Sequence, residues 1–346
     1  MDQHVQHKSD EGLIARLPTH HRAIHDLKNS MAWQCLKDAS YHPGIVHTPI
    51  VRSHVLGQAA GISDVYFKAE YLQTGNSFKI RGALHKLRSL ETPIVFTASA
   101  GNHGIGLALA ARILGMKAVI HVPSNTPEIK KKKINAASGT LVVGGKDFNE
   151  CEMLAMANCE RQHGEFISSF DDDHIISGNG GSLAREIESA FSGDLGADIL
   201  CPIGGGGLAS GLCAYFYGSD TRVFGVEPAV DCAMHKSLRA GSYQSDYLGD
   251  GSIADGLSGS ISPRTFELCR AGLHQSLVVS ESEILDAIAW AYDHMGIVIE
   301  GSSAAVIAAL LNKRNVFSPR VFLILTGANI DQATIDLARK HTNKPV

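Results

Sequence analysis

"DILCPIGGGGLASGLCAYFYG", residues 198–218, joins a compact apolar run to four consecutive glycines and then to a stretch of small and apolar residues. The run reads as a strand buried on both faces, and the segment after the glycines reads as a helix. Glycines at that junction let a backbone come close to a ligand. The free N–H groups and positive dipole end of the helix start suit a phosphate. A structural turn rarely needs four glycines in succession, so the stretch places an anion cup at the C-terminal end of a strand.

The same grammar recurs along the chain. Short β-branched runs "IVFTA" (94–98), "AVIHV" (118–122), "TLVV" (140–143), "RVFGV" (222–226), "SLVV" (276–279) and "VFLILT" (321–326) alternate with helical patterns such as "HGIGLALAARILGM", "SLAREIESAF" and "ESEILDAIAWAYDHM". Buried strands alternating with helices imply an α/β protein with largely parallel, twisted sheets, in which ligands sit beyond the carboxyl ends of the strands. At 346 residues the chain exceeds what one core usually fills, which implies two lobes.

Composition narrows the function. A formal charge of −4 gives no electrostatic reason to expect nucleic acid or an anionic membrane as partner. The 35 glycines, about one residue in ten against a usual ~7 %, gather in clusters that suggest ligand loops. Seven cysteines form no C-x-x-C pair, and no apolar run nears ~18 residues. A cytoplasmic protein acting on a small molecule is expected, with a polar leader over residues 1–25 that carries His4, His7, His20 and His21. The tetralysine 130–133 reads as a solvated helix face after a start at Pro127.

Four further sites carry chemistry. In "NSFKIRGA" (76–83), Lys79 lies between Phe78 and Ile80 at a helix start; apolar surroundings would lower its pKa and make the amine a nucleophile. In "TASAGNHGIG" (97–106), the loop Ser99, Ala100, Gly101, Asn102, His103 offers N–H groups to a carboxylate before a helix. Thr326 ends a buried strand, where its hydroxyl can meet a ring nitrogen or merely cap a helix. Glu300 stands in an apolar run before a small-residue helix, either as a helix-start charge or as a carboxylate of the crevice. A rival reading takes Gly204, Gly206 and Ala209 as a relaxed dinucleotide fingerprint with Glu227 on the ribose, which would make a nicotinamide-dependent oxidoreductase. Its depth in the chain and its silence on Lys79 count against it. A non-catalytic ligand-binding protein is a third reading.

A lysine nucleophile, a phosphate cup, a carboxylate cup and a hydroxyl for a ring nitrogen form the parts list of a pyridoxal-phosphate site. With "SFKIRGA", "SAGNHG", "GGGGL" and "TGAN" in this order, the chain from about 45 to 335 resembles the serine/threonine dehydratase family of fold-type II pyridoxal-phosphate enzymes. The group includes threonine ammonia-lyase, serine racemase and the tryptophan synthase β chain. The resemblance implies that Lys79 carries the cofactor and shuttles protons, with Phe78 beside the ring. It further implies that Asn102 meets the ring's 3-oxygen, that Gly204, Gly205, Gly206, Gly207 and Leu208 hold the phosphate, and that Thr326 faces the pyridine nitrogen. Glu300 joins the cofactor site, and Ser99 to His103 grip the substrate carboxylate. The implied activity is dehydration of an L-β-hydroxy amino acid to a keto acid and ammonia. Ala100 stands where serine racemases carry a second serine, which favours elimination over racemisation, the alternative within the same fold.

Other departures are milder. Gly301 replaces a common proline, and Thr326 the usual serine. Glu227 and Asp231 match the start of the family's cation site, but Ala233 replaces an aspartate of the serine racemases, which counts against a divalent cation there. The chain stops soon after "TGANID", without the regulatory domain of biosynthetic threonine dehydratases. That implies a catabolic or specialised role, with threonine/serine dehydratases, hydroxyaspartate dehydratases and the dehydratase of hydroxyectoine breakdown as short relatives. The expected organisation is a large cofactor lobe (26–87 and 169–346) with a small lobe (88–168) inserted, assembled as a homodimer.

Overall fold

The computed structural model describes residues 18–36, 42–191, 195–245 and 251–342. Among the described residues ten strands form two sheets. The larger comprises β1 (Ile50–Arg52), β2 (Asp64–Lys68), β7 (Asp198–Pro202), β8 (Arg222–Pro228), β9 (Leu273–Val279) and β10 (Arg320–Ile324), in the order β1-β2-β10-β7-β8-β9. All its neighbours run parallel except β1, which pairs antiparallel with β2 at the edge. The smaller comprises β3 (Ile94–Ala98), β4 (Lys117–Val122), β5 (Thr140–Val143) and β6 (Glu165–Phe166), all parallel, in the order β5-β4-β3-β6.

Burial on both faces explains why the central strands read as unbroken apolar runs. Along β10 and the residue after it, Val321, Leu323 and Leu325 enter one core while Phe322 and Ile324 enter the other. In β7, Leu200 faces the first core and Ile199 and Cys201 face the second. A third core, under the small sheet, joins Val95, Ala118, Ile120 and Val122 to the helices Lys79–Leu87 and Asn102–Leu114.

The register sets the site. β10 and β7 are parallel neighbours with Leu323 opposite Leu200, so Thr326 and the glycines after β7 leave the sheet at the same edge. In the small sheet Phe96 lies opposite Phe166, which brings Ser99 after β3 level with Ser169 after β6. This is the carboxyl edge at which open α/β sheets bind ligands.

One expectation shifts. The helix Thr19–Asn29 lies partly within the stretch read as a fraying leader, because Ala23, Ile24 and Leu27 bury against Ile176, Ala214 and Leu268. Residues 1–17, with His4 and His7, lie outside the described residues. Among the described residues no helix is long and apolar enough to cross a membrane, and the seven cysteines are free thiols.

Candidate active site

Lys79 is the first residue of the helix Lys79–Leu87, and the segment before it is pinned to the turn after β10. Ser77 and Gly327 form an antiparallel bridge, the Phe78 N–H donates to Thr326 O at 3.1 Å, and the Ala328 N–H donates to Asn76 O at 3.0 Å. On the other side Gly106 lets the helix Asn102–Leu114 approach. A Cβ there would stand 3.1 Å from Ile80 N and 3.2 Å from Lys79 Cβ. These contacts fix where the amine can reach. Lys79 Nζ donates to Ser169 O at 2.9 Å and lies 5.3 Å from the Phe78 ring centroid. Burial pushes its pKa down to about 8, against the pull of the Glu300 carboxylate.

Two residues on, Arg81 anchors the same helix in a fully buried ion cluster. Its Nε and Nη2 fork onto Glu70 at 2.7 and 2.8 Å, and Nη1 and Nη2 meet Glu186 at 2.6 and 3.0 Å. Lys68 Nζ completes the set at 2.6 Å from Glu186. Two cations and two carboxylates balance, as burial demands.

The glycine loop reads as an anion cup. Gly206 adopts φ +92°, and the helix Gly207–Phe216 follows with its first internal bond from Ser210 N–H to Gly206 O. Among the described residues, no protein acceptor takes the N–H groups of Gly204, Gly205, Gly206, Gly207, Leu208 or Ala209. Buried amides are normally paired, so such a row calls for an anionic guest. Side chains are excluded here by close neighbours: a Cβ on Gly205 would lie 2.2 Å from the Phe170 ring, and one on Gly207 2.9 Å from the Phe170 backbone. Phe170 follows Ser169, so one short segment touches both the lysine and the cup.

The loop after β3 is built alike. Gly101 N–H donates to Ser99 Oγ at 3.3 Å, and Ala100, Gly101 and Asn102 are half-buried at the start of the helix. His103 is buried, donates from Nε2 to Ile167 O at 3.2 Å, and is pushed down to about 3 by burial and then by the Lys79 charge. It is neutral at physiological pH and a weak base. Asn102 Nδ2 donates to both Glu300 oxygens, at 2.8 and 3.0 Å. Glu300 is buried at the start of the helix Gly301–Asn312, and burial raises its pKa to about 7 despite the Asn102 donor. Thr326 is buried with its Oγ1 3.3 Å from Ser303 Oγ. Thus Lys79, Phe78, Asn102, Glu300 and Thr326 come together.

Glu227 does not join them. Its carboxylate accepts from Met234 N–H and His235 N–H at 2.9 and 2.8 Å, at the start of the helix Ala233–Ala240, and from Ser276 Oγ at 3.2 Å. Burial raises its pKa to about 8 against those donors. It is spent on a helix end, so the ribose role in the dinucleotide reading falls. Asp231 accepts from Gly259 N–H at 3.5 Å. Among the described residues no group of three or more His, Cys, Asp or Glu could hold a metal ion.

Ser169, Phe170, Ser303 and Asn329 escaped the sequence reading. Asn329 lay inside the quoted "TGAN", and the others gave no local signal.

The unspent row of amides, the half-buried lysine with a lowered pKa and the strand-end hydroxyl fit pyridoxal phosphate. A family model described as pyridoxal-phosphate dependent enzyme matches residues 41–327. The chain is similar to an L-threonine ammonia-lyase of Thermotoga maritima, 35% identical over 84% of this chain and 74% of that one. It is also similar to a serine racemase of Dictyostelium discoideum, 30% identical over 83% and 91%. Among solved structures, the processed form of threonine deaminase isoform 2 from Solanum lycopersicum superposes with a TM-score of 0.82 at 30% identity, over 90% of this chain and 88% of that one. The chain belongs to the pyridoxal-phosphate-dependent enzymes, within the fold-type II group of threonine ammonia-lyases and serine racemases.

Proposed function

We propose that this pyridoxal-phosphate-dependent lyase eliminates water from an L-β-hydroxy amino acid, releasing an enamine that hydrolyses to a keto acid and ammonia. The observation that carries this reading is the pairing of one tuned amine, Lys79, with a loop that has alanine at position 100.

Bound pyridoxal phosphate supplies the electron sink that acidifies the Cα proton of an attached amino acid. The protein does the rest. Unpaired amides from Gly204 to Ala209 would take the phosphate, and those of Ala100, Asn102 and His103 would orient the substrate carboxylate, while Ser99 N–H is spent on His121 O and Gly101 N–H on Ser99 Oγ. Lys79, with its amine near pKa 8, moves the Cα proton from one face. Ala100 offers no oxygen for the other face, and His103, held near pKa 3, cannot serve as an acid there. Thr326 would offer the ring nitrogen a hydroxyl rather than a carboxylate, and such a partner would leave a weaker sink suited to quick departure of the β-hydroxyl.

The test is to incubate the holoenzyme with L-threonine, L-serine, L-3-hydroxyaspartate and hydroxylated diamino acids, following keto acid release and the chirality of residual substrate together. Keto acid from at least one, with the remainder still L, is expected. Interconversion of L and D forms as fast as keto acid release would overturn the one-base reading.

A further inference from the structure

We propose that Asn329 is a positioning residue that turns the Asn102 carboxamide so that its nitrogen end, with one N–H to spare, serves an anionic oxygen. The inference rests on the reading above, in which Asn102 meets the cofactor's ring oxygen.

Four segments converge on Asn329. Its Nδ2 donates to Gly75 O at 2.9 Å and to Asn102 Oδ1 at 2.7 Å, and its backbone N–H donates to Glu300 Oε2 at 3.1 Å. Its Oδ1 accepts from Lys133 Nζ at 3.4 Å. An amide can be placed either way round unless its partners decide. Here they do. A backbone carbonyl only accepts and a lysine ammonium only donates, so the nitrogen of Asn329 must face Gly75 and its oxygen Lys133. Asn102 then has to offer oxygen to Asn329 and nitrogen to Glu300, whose carboxylate accepts at 2.8 and 3.0 Å. The two oxygens of one carboxylate lie too close together to engage both N–H groups, so they share one Asn102 N–H, and the second remains for a guest.

The relay also gives Lys133 a task. This lysine of the tetralysine run extends from the helix Glu128–Ala136, between β4 and β5, to the turn after β10 in the other sheet. Its neighbour Lys130 crosses the same gap to Asp255 at 2.5 Å. The basic face that sequence alone reads as solvated therefore ties the small sheet to the turn that orients Asn102.

Asn329→Asp is nearly isosteric and replaces two N–H donors with an acceptor, which sets a carboxylate against Asn102 Oδ1 and Gly75 O. Three variants, Asn102→Ala, Asn329→Asp and Asn329→Ala, should be loaded with pyridoxal phosphate, with cofactor retention measured by dialysis and the visible band titrated against pH. Loss of one hydrogen bond to a charged group corresponds to about tenfold weaker retention or more. We expect that loss, and a displaced titration midpoint, in Asn102→Ala and in both Asn329 variants, with a smaller shift of the same sign in Lys133→Met. If Asn102→Ala shifts the band and neither Asn329 variant does, the positioning role is overturned while the site reading stands. If Asn102→Ala leaves the band and retention unchanged, Asn102 does not meet the cofactor and both fall. Lower thermal stability of the Asn329 variants with an unmoved band also overturns the inference, since packing alone would do that.

Discussion

Gly205→Ala tests how the cup and the lysine are joined. The added methyl would lie 2.2, 2.3 and 2.6 Å from Cδ1, Cγ and Cε1 of Phe170, where ordinary contact begins near 3.4 Å. The ring must retreat by more than 1 Å, and because Cγ is among the atoms struck, a rotation about the ring axis does not suffice. The Phe170 backbone has little room either, since its Cα and O lie 2.9 Å from the Cβ position of Gly207, and the preceding carbonyl, Ser169 O, holds Lys79 Nζ. Overpacking of this kind costs about 1–3 kcal/mol. The fold bears part of that, read as a lower urea midpoint of the cofactor-free protein. The displaced loop bears the rest, read by equilibrium dialysis as cofactor binding weakened by up to about 100-fold. Adding Phe170→Ala should recover most of both losses. Wild-type stability and wild-type cofactor affinity in Gly205→Ala alone would refute the close packing of Phe170 on the cup.

Lys79→Met should stabilise the cofactor-free protein at pH 7 by up to about 3 kcal/mol, because the folded amine titrates near 8 and an unfolded lysine near 10.4. Below pH 8 both states are protonated and the folded one bears the cost of a buried charge. Between pH 8 and 10.4 the folded state has already released its proton, so wild-type stability rises and the advantage of methionine fades; urea melts showing an advantage that grows with pH would contradict this. Arg81→Met should cost about 3–5 kcal/mol in the same assay, since it leaves Glu70 and Glu186 buried with Lys68 as their remaining cation. A midpoint within error of wild type would mean that the cluster contributes little.

Much of this was legible because the chemistry is local. Each candidate loop follows an apolar strand and precedes a helix, so the glycines after β7, the Ser99–His103 loop and Thr326 stand out without knowledge of the fold. The strand next to the edge did not. β2, "DVYFK", carries a charge at each end, and what permits it is distant: Asp64 meets Arg52 at 2.5 Å, while Lys68 is neutralised by Glu186, 118 positions on. Glu227 misled in the opposite way. It stands near the end of a strand at the spacing a ribose ligand would have, yet the helix that begins six residues later captures it. Asn329, Ser169 and Phe170 acquire their roles only where separate segments meet, and no periodicity encodes such a meeting.

The central claim is that Lys79 is the residue to which the cofactor is joined. Borohydride treatment of the holoenzyme, followed by proteolysis and mass spectrometry, reads this directly. The visible band should vanish and the phosphopyridoxyl mass should appear on the peptide that contains "SFKIR", at Lys79. The label on any other lysine, or full turnover by Lys79→Ala, would contradict it.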